Sequence, residues 1–376
     1  MTDSTIHRGL DGVFVDTTRI SKVMPEINAL VYHGYPVQDL AEHCSFEEVA
    51  WLIWHGELPD ASQLAAFRAA ERSRRELSPG LLSVITKFPR TAHPMDALRT
   101  AVSFLGMEDA APDKSDAATN LDRSIGLLAK IPAVVAAFYR LRKGQDIISP
   151  RGDLGFSENF FHMVFGAVPA PEVVKAFDVS LVLYAEHGFN ASTFTARVVV
   201  SSLSDIYSGV TAAIGSLKGP LHGGANEAVM HLLLEVGEPA HAREWMLNAL
   251  REKRLVMGFG HRVYKSGDSR VPTMKKYARR MAEITGNTKW MEICDILEGI
   301  MIEQKNIHPN LDFPSGPAYY MMGFDIDMFT PFFVMARITG WTAHIMEQLA
   351  NNRLIRPLSS YTGTGERAVV PLAQRE

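Results

Sequence analysis

SFEEVAWLIWHG, residues 45–56, carries the start, the buried face and the end of one predicted helix. The Ser45 hydroxyl can accept a hydrogen bond from a free backbone N–H of the first turn while Glu48 reaches back, a capping box. The apolar residues that follow at helical spacing are Val49, Leu52 and Ile53. Gly56 can end the helix because glycine adopts a positive φ without steric cost. The stretch therefore predicts a helix with one face packed against other elements.

Helical periodicity continues along the chain. Pro171 suits a first helical turn, and the run from 331 to 352 indicates another long helix. The apolar residues that repeat on one face after Pro171 are Val173, Val174, Phe177, Leu181 and Tyr184. Strand patterns are few and short, and residues 13–17 and 30–35 predict one or two small hairpins. We therefore expect an all-α fold with minor short strands near the N-terminus.

Composition excludes several protein classes. With 47% hydrophobic and 21% charged residues, the 376-residue chain can bury a large core and is not mainly disordered. Its net charge of −4 mixes both signs, so no broad basic surface for nucleic acid is expected. Cys44 and Cys294 have neither metal-binding nor disulfide-scaffold spacing. The first residues lack a signal-peptide pattern and no uninterrupted apolar run is long enough to span a membrane, so we expect a cytoplasmic protein.

Two glycine-rich stretches carry histidines suited to catalysis. In GPLHGGANE, residues 219–227, His222 lies between glycines that let a ligand approach, and the following helix N-terminus would disfavour imidazolium. In MGFGHRVYK, residues 257–265, Val263 replaces the third glycine of a dinucleotide-binding fingerprint. A loop in which backbone, His261 and nearby cations meet an anionic ligand is the remaining functional interpretation. Taken alone, each stretch is explained as well by a structural turn.

A third stretch, NLDFPSGP at residues 310–317, presents a carboxylate. Its prolines predict a rigid, non-helical loop that holds Asp312 in place, as a general base requires. An aspartate that only stabilises its own turn is the simpler alternative. Arg337 lies in an otherwise apolar predicted helix, where a buried guanidinium needs a partner such as a carboxylate ligand. Two further candidate anion ligands are His187 and Arg356.

Taken together, the three stretches resemble the citrate synthase family in order and approximate spacing. YAEH at 184–187 and MFTP at 328–331 also match, so the resemblance runs over nearly the whole chain. It implies an all-α homodimer whose large domain, residues 1–218 and 321–376, carries dimerisation and the oxaloacetate site. A smaller mobile domain, residues 219–320, would carry the CoA site with the catalytic histidines and aspartate.

The resemblance also implies a role for each site residue. Asp312 would remove a proton from the carbon beside the thioester carbonyl, neutral His222 would stabilise the enolate oxygen, and His261 would polarise the oxaloacetate ketone. The implied oxaloacetate ligands are His187, Arg270, Arg337 and, from the neighbouring subunit, Arg356. The implied CoA contacts are Arg72, Leu255, Val256, Met257, Gly258 and Phe259. No metal and no separate cofactor are implied, since the CoA thioester is a substrate.

The choice of acyl donor is less constrained. The chain resembles the shorter bacterial form typical of 2-methylcitrate synthases, which predicts propionyl-CoA as donor and a place in propionate catabolism. Acetyl-CoA should also react, because one methylene is worth only about 1–3 kcal/mol in an apolar pocket. The alternatives are a dedicated citrate synthase of the tricarboxylic acid cycle and a non-catalytic homologue that binds CoA metabolites. A metallohydrolase is disfavoured because no H-E-x-x-H or paired-cysteine motif is present.

Overall fold

The computed structural model describes residues 6–10, 12–261, 263–264 and 267–375. Arg262 and Lys265, two cations predicted to lie near His261, are outside the described residues. The described ranges contain sixteen α-helices: α1 Val37–His43, α2 Phe46–His55, α3 Ala61–Arg72, α4 Pro79–Thr86, α5 Pro94–Met107, α6 Ala117–Arg142, α7 Phe156–Phe165, α8 Pro171–Tyr184, α9 Ala191–Val200, α10 Ile206–Leu217, α11 Ala225–Val236, α12 Pro239–Arg251, α13 Val271–Thr285, α14 Lys289–Lys305, α15 Asp312–Met321 and α16 Phe329–Ala350. Short 3-10 helices lie at Arg8–Leu10, Pro25–Ile27, Ile326–Met328 and Leu372–Gln374.

The predicted helical fold is confirmed, including its local signals. Ser45 Oγ accepts from the Glu48 N–H at 3.3 Å, and Glu48 Oε2 accepts from the Ser45 N–H at 2.8 Å. Gly56 ends α2 with a φ of 86°. Helix α8 begins at Pro171, as predicted, and ends at Tyr184, the last residue of its predicted apolar face, and α16 begins two residues before Pro331.

The minor strands form one antiparallel sheet near the N-terminus. Strands β1 Ser21–Met24, β2 Ala29–Tyr32 and β3 Tyr35–Pro36 pair in that order. The hairpin predicted at 30–35 is confirmed, since Tyr32 pairs with Tyr35. The strand predicted at 13–17 is wrong: these residues have no regular structure, and the Phe14 side chain is fully exposed. They lack a neighbouring strand to satisfy a β ladder, and the segment is attached through the Asp16 carboxylate instead.

Helix α16 is the centre of the larger packing unit. It is buried along most of its length and packs against α2, α5, α6, α8, α9 and α10. Helix α6 is long and apolar enough to cross a membrane by length and composition alone, but 72% of its most apolar window is buried in the fold. A second group, α11 to α15, packs mainly on itself and contacts the first group through α8 and α16. Six of the predicted site residues lie where these two groups meet: His187, His222, His261, Arg270, Asp312 and Arg337.

Candidate active site

Asp312 is the first residue of α15, so the prediction of a non-helical loop around it is wrong. Pro314 falls in the first turn, where backbone N–H groups have no partner within the helix, and proline is therefore compatible with it. The Asp312 N–H is bonded instead to Asn310 Oδ1 at 3.1 Å. The carboxylate is still rigidly presented, but by a helix start rather than by a proline loop.

The Asp312 carboxyl group has the properties of a general base. Tyr184, the last residue of α8, donates its hydroxyl to Asp312 Oδ1 at 2.7 Å. Burial raises the pKa of Asp312 to about 6, against the opposing effects of the Tyr184 hydrogen bond and the positive charge of Arg270. A carboxylate with a pKa close to the working pH is ionised yet basic enough to accept a proton from carbon.

The His222 ring has a defined tautomer. The backbone N–H of Ser192, in the first turn of α9, donates to His222 Nε2 at 3.2 Å, and Ser192 Oγ lies 2.8 Å from the same atom. Nε2 is therefore an acceptor, and Nδ1 carries the proton. Burial, followed by the positive charge of Arg337, lowers the pKa of His222 to about 4. The predicted neutral imidazole agrees with this environment, but the helix whose N-terminus contacts its ring is α9 and not the predicted α11.

The His261 ring has the opposite tautomer for the same reason. Its Nδ1 accepts backbone N–H groups from Val263 at 3.1 Å and Tyr264 at 3.2 Å, so Nε2 carries the proton. Burial and the positive charge of Arg270 lower the pKa of His261 to about 4. Two neutral imidazoles, each with one N–H available, therefore belong to the same site.

Arg270 is positioned by a buried carboxylate. Asp268 accepts from Arg270 Nε at 2.9 Å and from Nη2 at 2.7 Å. The same carboxylate accepts from the Leu311 N–H at 3.2 Å, at the start of the helix that begins with Asp312. Asp268 thus connects a candidate substrate-binding cation to the segment that holds the candidate base.

Two more predicted anion ligands are buried beside this cluster. Arg337 donates Nε to the Tyr184 carbonyl at 2.7 Å and stacks on Phe333, and no carboxylate of the described residues lies within ion-pair distance of it. Burial lowers the pKa of Arg337 to about 10, while Glu186 acts in the opposite direction. The His187 ring lies 5.1 Å from that of His261, and its buried Nε2 has no hydrogen-bond partner among the described residues. Such groups are ready for an anionic, oxygen-rich ligand.

The predicted CoA loop is attached to the segment before Asp312. Asn310 donates its N–H to the Gly258 carbonyl at 2.9 Å, and Gly260 donates to the His308 carbonyl at 2.8 Å. Gly258 has a φ of 86°, and a Cβ there would lie 2.5 Å from Val229. Within this loop Leu255 is exposed, Val256 is buried, and Met257 and Phe259 are partly exposed.

Arg356 and Arg72 are not brought into this cluster. Arg356 is exposed in the irregular segment after α16 and makes no hydrogen bond or ion pair within the described chain. Arg72 ends α3, where its Nη1 lies 3.4 Å from the Gly152 carbonyl, and no contact joins it to the loop 255–259. Neither residue completes a site built from this chain alone.

Three positioning residues escaped the sequence analysis. From the sequence, Tyr184 is predicted only as part of an apolar helix face and of the matching stretch 184–187, and neither Ser192 nor Asp268 is assigned a role. Tyr184 and Asp312 are 128 positions apart, and Ser192 and His222 are 30 apart. Spacing along the chain gives no signal for either pair. No group of three or more His, Cys, Asp or Glu in the described ranges is arranged to hold a metal ion.

The comparisons with known proteins agree with this geometry. The family model described as "Citrate synthase, C-terminal domain" matches residues 9–358. A 2-methylcitrate synthase of Mycobacterium tuberculosis is 57% identical over 97% of this chain and 92% of its own length, and a citrate synthase of Mycolicibacterium smegmatis is 57% identical over 97% of both chains. The structure of citrate synthase from Thermoplasma acidophilum, a ternary complex with carboxymethyl coenzyme A and oxaloacetate, covers 99% of this chain and all of its own, with a TM-score of 0.93 and 32% identity. The chain belongs to the citrate synthase family.

Proposed function

We propose that the protein condenses a short acyl-CoA with oxaloacetate and hydrolyses the resulting CoA thioester. The observation that carries this proposal is the combination of one elevated-pKa carboxylate, Asp312, with two neutral imidazoles of fixed tautomer, His222 and His261. Enolate formation and attack on a ketone require one base and two oxygen-directed donors. The names of the similar proteins support the same reaction class.

The first step is proton removal from the carbon beside the thioester carbonyl. Asp312 accepts this proton, and the Tyr184 hydroxyl keeps the carboxylate oriented through Oδ1. Negative charge then develops on the thioester oxygen. His222 donates Nδ1–H to that oxygen because its Nε2 is occupied by the first turn of α9. One such donor is typically worth about 3–4 kcal/mol of the barrier.

The second step joins the enolate carbon to the ketone carbon of oxaloacetate. His261 donates Nε2–H to the ketone oxygen, and that oxygen takes the proton as the new bond forms. His187, Arg270 and Arg337 bind the oxaloacetate carboxylates through donors that are buried in the cluster. Hydrolysis of the citryl-type thioester then releases CoA and makes the reaction irreversible.

The proposed acyl donor is propionyl-CoA, with acetyl-CoA also accepted. The similarity to 2-methylcitrate synthases at 54–57% identity favours propionyl-CoA, while a citrate synthase at 57% supports the overlap. The test measures thiol release with oxaloacetate and each donor separately. Asp312→Ala should abolish release with both donors, whereas Asp325→Ala, outside the site, should not. A strong preference for acetyl-CoA would instead favour a dedicated citrate synthase, and folded wild-type protein without turnover would favour the non-catalytic alternative.

We further propose that the active enzyme is a cytoplasmic homodimer whose smaller domain, residues 219–320, closes over the substrates. The predicted oxaloacetate ligand Arg356 is exposed and makes no hydrogen bond or ion pair with the described residues of the cluster in its own chain, which suits donation to a neighbouring subunit. Closure would exclude water that competes for the enolate-stabilising donors. Small-angle scattering should give a dimer that becomes more compact on adding oxaloacetate. A monomer with full activity would contradict both the assembly and the role of Arg356.

A further inference from the structure

A fully buried carboxylate precedes the predicted oxaloacetate ligand His187. Glu186 Oε1 accepts from Ser21 Oγ at 2.9 Å, from the Gly188 N–H at 2.5 Å and from His344 Nε2 at 2.9 Å. His187 therefore lies between Glu186 and Gly188, which are hydrogen-bonded to each other through this carboxylate. The fit is tight, because a Cβ on Gly340 would lie 2.2 Å from Glu186 Oε2.

The carboxylate continues into a chain of buried polar groups on α16 and α9. His344 Nδ1 lies 3.1 Å from Arg197 Nη1, and a guanidinium can only donate, so Nδ1 accepts and the His344 proton is on Nε2. Arg197, 1% exposed, also donates to Glu347 Oε2 at 2.9 Å and to Asp16 Oδ2 at 3.2 Å. A fixed order of donors and acceptors thus runs from Glu186 through His344 to Arg197.

The outer end of this chain reaches both terminal segments. Glu347 Oε1 accepts from the Arg19 N–H at 3.0 Å, which anchors the N-terminal segment. Arg197 Nε donates to Gln348 at 3.1 Å, and Gln348 in turn donates to Asn352 Oδ1 at 3.1 Å. Asn352 begins the irregular C-terminal segment on which Arg356 lies.

The negative charge of Glu186 also affects the buried guanidinium of Arg337. Arg337 has no carboxylate within ion-pair distance in the described ranges, and burial lowers its pKa to about 10. Glu186 is the nearby negative charge that opposes this fall. A buried guanidinium that must bind a substrate carboxylate has to remain charged, and a counter-ion that does not occupy its donors serves that purpose.

We propose that Glu186, His344 and Arg197 form a positioning chain that holds His187 ready for oxaloacetate and connects it to the start of the C-terminal segment. The inference rests on the proposed function, because it assigns the positioning chain of three residues to the binding of oxaloacetate and not to the binding of acyl-CoA. None of the three residues is assigned a catalytic role, because Glu186 Oε1, His344 and Arg197 are hydrogen-bonded to each other and to neighbouring side chains and backbone. The second carboxylate oxygen, Glu186 Oε2, is buried and has no hydrogen-bond partner among the described residues. Substitution of any of the three residues should therefore act on the KM for oxaloacetate far more than on kcat.

The test compares Glu186→Gln and Arg197→Met with the control Arg123→Met. Arg123 is a buried arginine paired with Asp109 outside the site, so its loss should lower the unfolding temperature without affecting substrates. We expect Glu186→Gln and Arg197→Met to raise the KM for oxaloacetate about tenfold or more, with kcat within about threefold of wild type. The KM for acyl-CoA at saturating oxaloacetate should stay within about twofold. Folded Glu186→Gln and Arg197→Met proteins with an unchanged KM for oxaloacetate would overturn the proposal.

A milder variant covers the case in which these buried substitutions prevent folding. Glu347→Gln, at the partly exposed outer end, should raise the KM for oxaloacetate about two- to fivefold, and no change there would count equally against the chain. Wild-type protein that condenses neither donor would refute the proposed function instead. In that case the dissociation constant for oxaloacetate, measured by calorimetry on the same variants, would test the positioning chain. The expected fold-changes are the same as those given for the KM.

Discussion

Replacing Tyr184 by phenylalanine should shift the pH dependence of the reaction toward higher pH. The substitution removes one oxygen atom, the one that donates to Asp312 Oδ1 at 2.7 Å, and keeps the ring that packs 4.3 Å from Phe333. Burial raises the pKa of the Tyr184 hydroxyl well above its ordinary value, so it stays protonated and donates throughout the assay range. The variant therefore isolates a single hydrogen bond to the base.

The size of the shift follows from the bond that is lost. A hydrogen bond to a charged group contributes about 1.5–3 kcal/mol, and roughly 1.4 kcal/mol corresponds to one pKa unit. The hydrogen bond stabilises the ionised form, so without it the pKa of Asp312 should rise from about 6 to roughly 7–8. At pH 7 the ionised fraction of the base would fall from about nine-tenths to half or less.

The assay is thiol release at saturating substrates between pH 5 and pH 9. Wild-type kcat should fall below a pH of about 6, and the Tyr184→Phe profile should fall about 1–2 pH units higher, with much of the activity recovered at pH 9. Tyr35→Phe is the matched control, since the Tyr35 hydroxyl donates to the carboxylate of Glu57 outside the site. Superimposable acid limbs for Tyr184→Phe and wild type would refute the assignment of Asp312 as the titrating base.

Three further predictions test the surroundings of the base. Asp312→Asn should raise the free energy of unfolding, measured with denaturant, by up to about 3 kcal/mol at pH 8 but not at pH 4. The reason is that the pKa of Asp312 is raised in the folded protein, so the carboxylate charge is unfavourable above pH 6 and absent below pH 4. Equal effects at both pH values would contradict this. Asp268→Asn should weaken oxaloacetate binding at least tenfold by calorimetry, because it leaves the buried Arg270 without its counter-ion, and unchanged affinity would remove Asp268 from the site. Gly258→Ala should lower the unfolding temperature and raise the KM for acyl-CoA, because the positive φ and the 2.5 Å approach to Val229 exclude a Cβ. A wild-type unfolding temperature together with a wild-type KM would show that the loop accommodates the Cβ.

Several features of this protein were determined by sequence over short distances. The capping box of α2 lies within four residues, and Gly56 ends the helix through its own backbone freedom. The hairpin at 30–35 likewise depends on a turn between adjacent strands. Such signals are readable because the interacting groups are neighbours along the chain, and their geometry follows from backbone sterics alone. The three motif stretches were also recognisable by order and spacing, which predicted the family and the residues His222, His261 and Asp312.

Only the tertiary structure decided how those residues are prepared for chemistry. The tautomer of His222 depends on the first turn of α9, and the pKa of Asp312 depends on burial and on Tyr184 from α8. The helical setting of Asp312 also escaped prediction, because Pro314 in the first turn and Pro317 inside the helix resemble prolines of a loop in the sequence. Hydrogen bonds and desolvation act through space over a few ångströms, whatever the separation along the chain. A sequence motif can therefore name a base and two imidazoles, while the protonation state of each is set by residues that the motif does not contain.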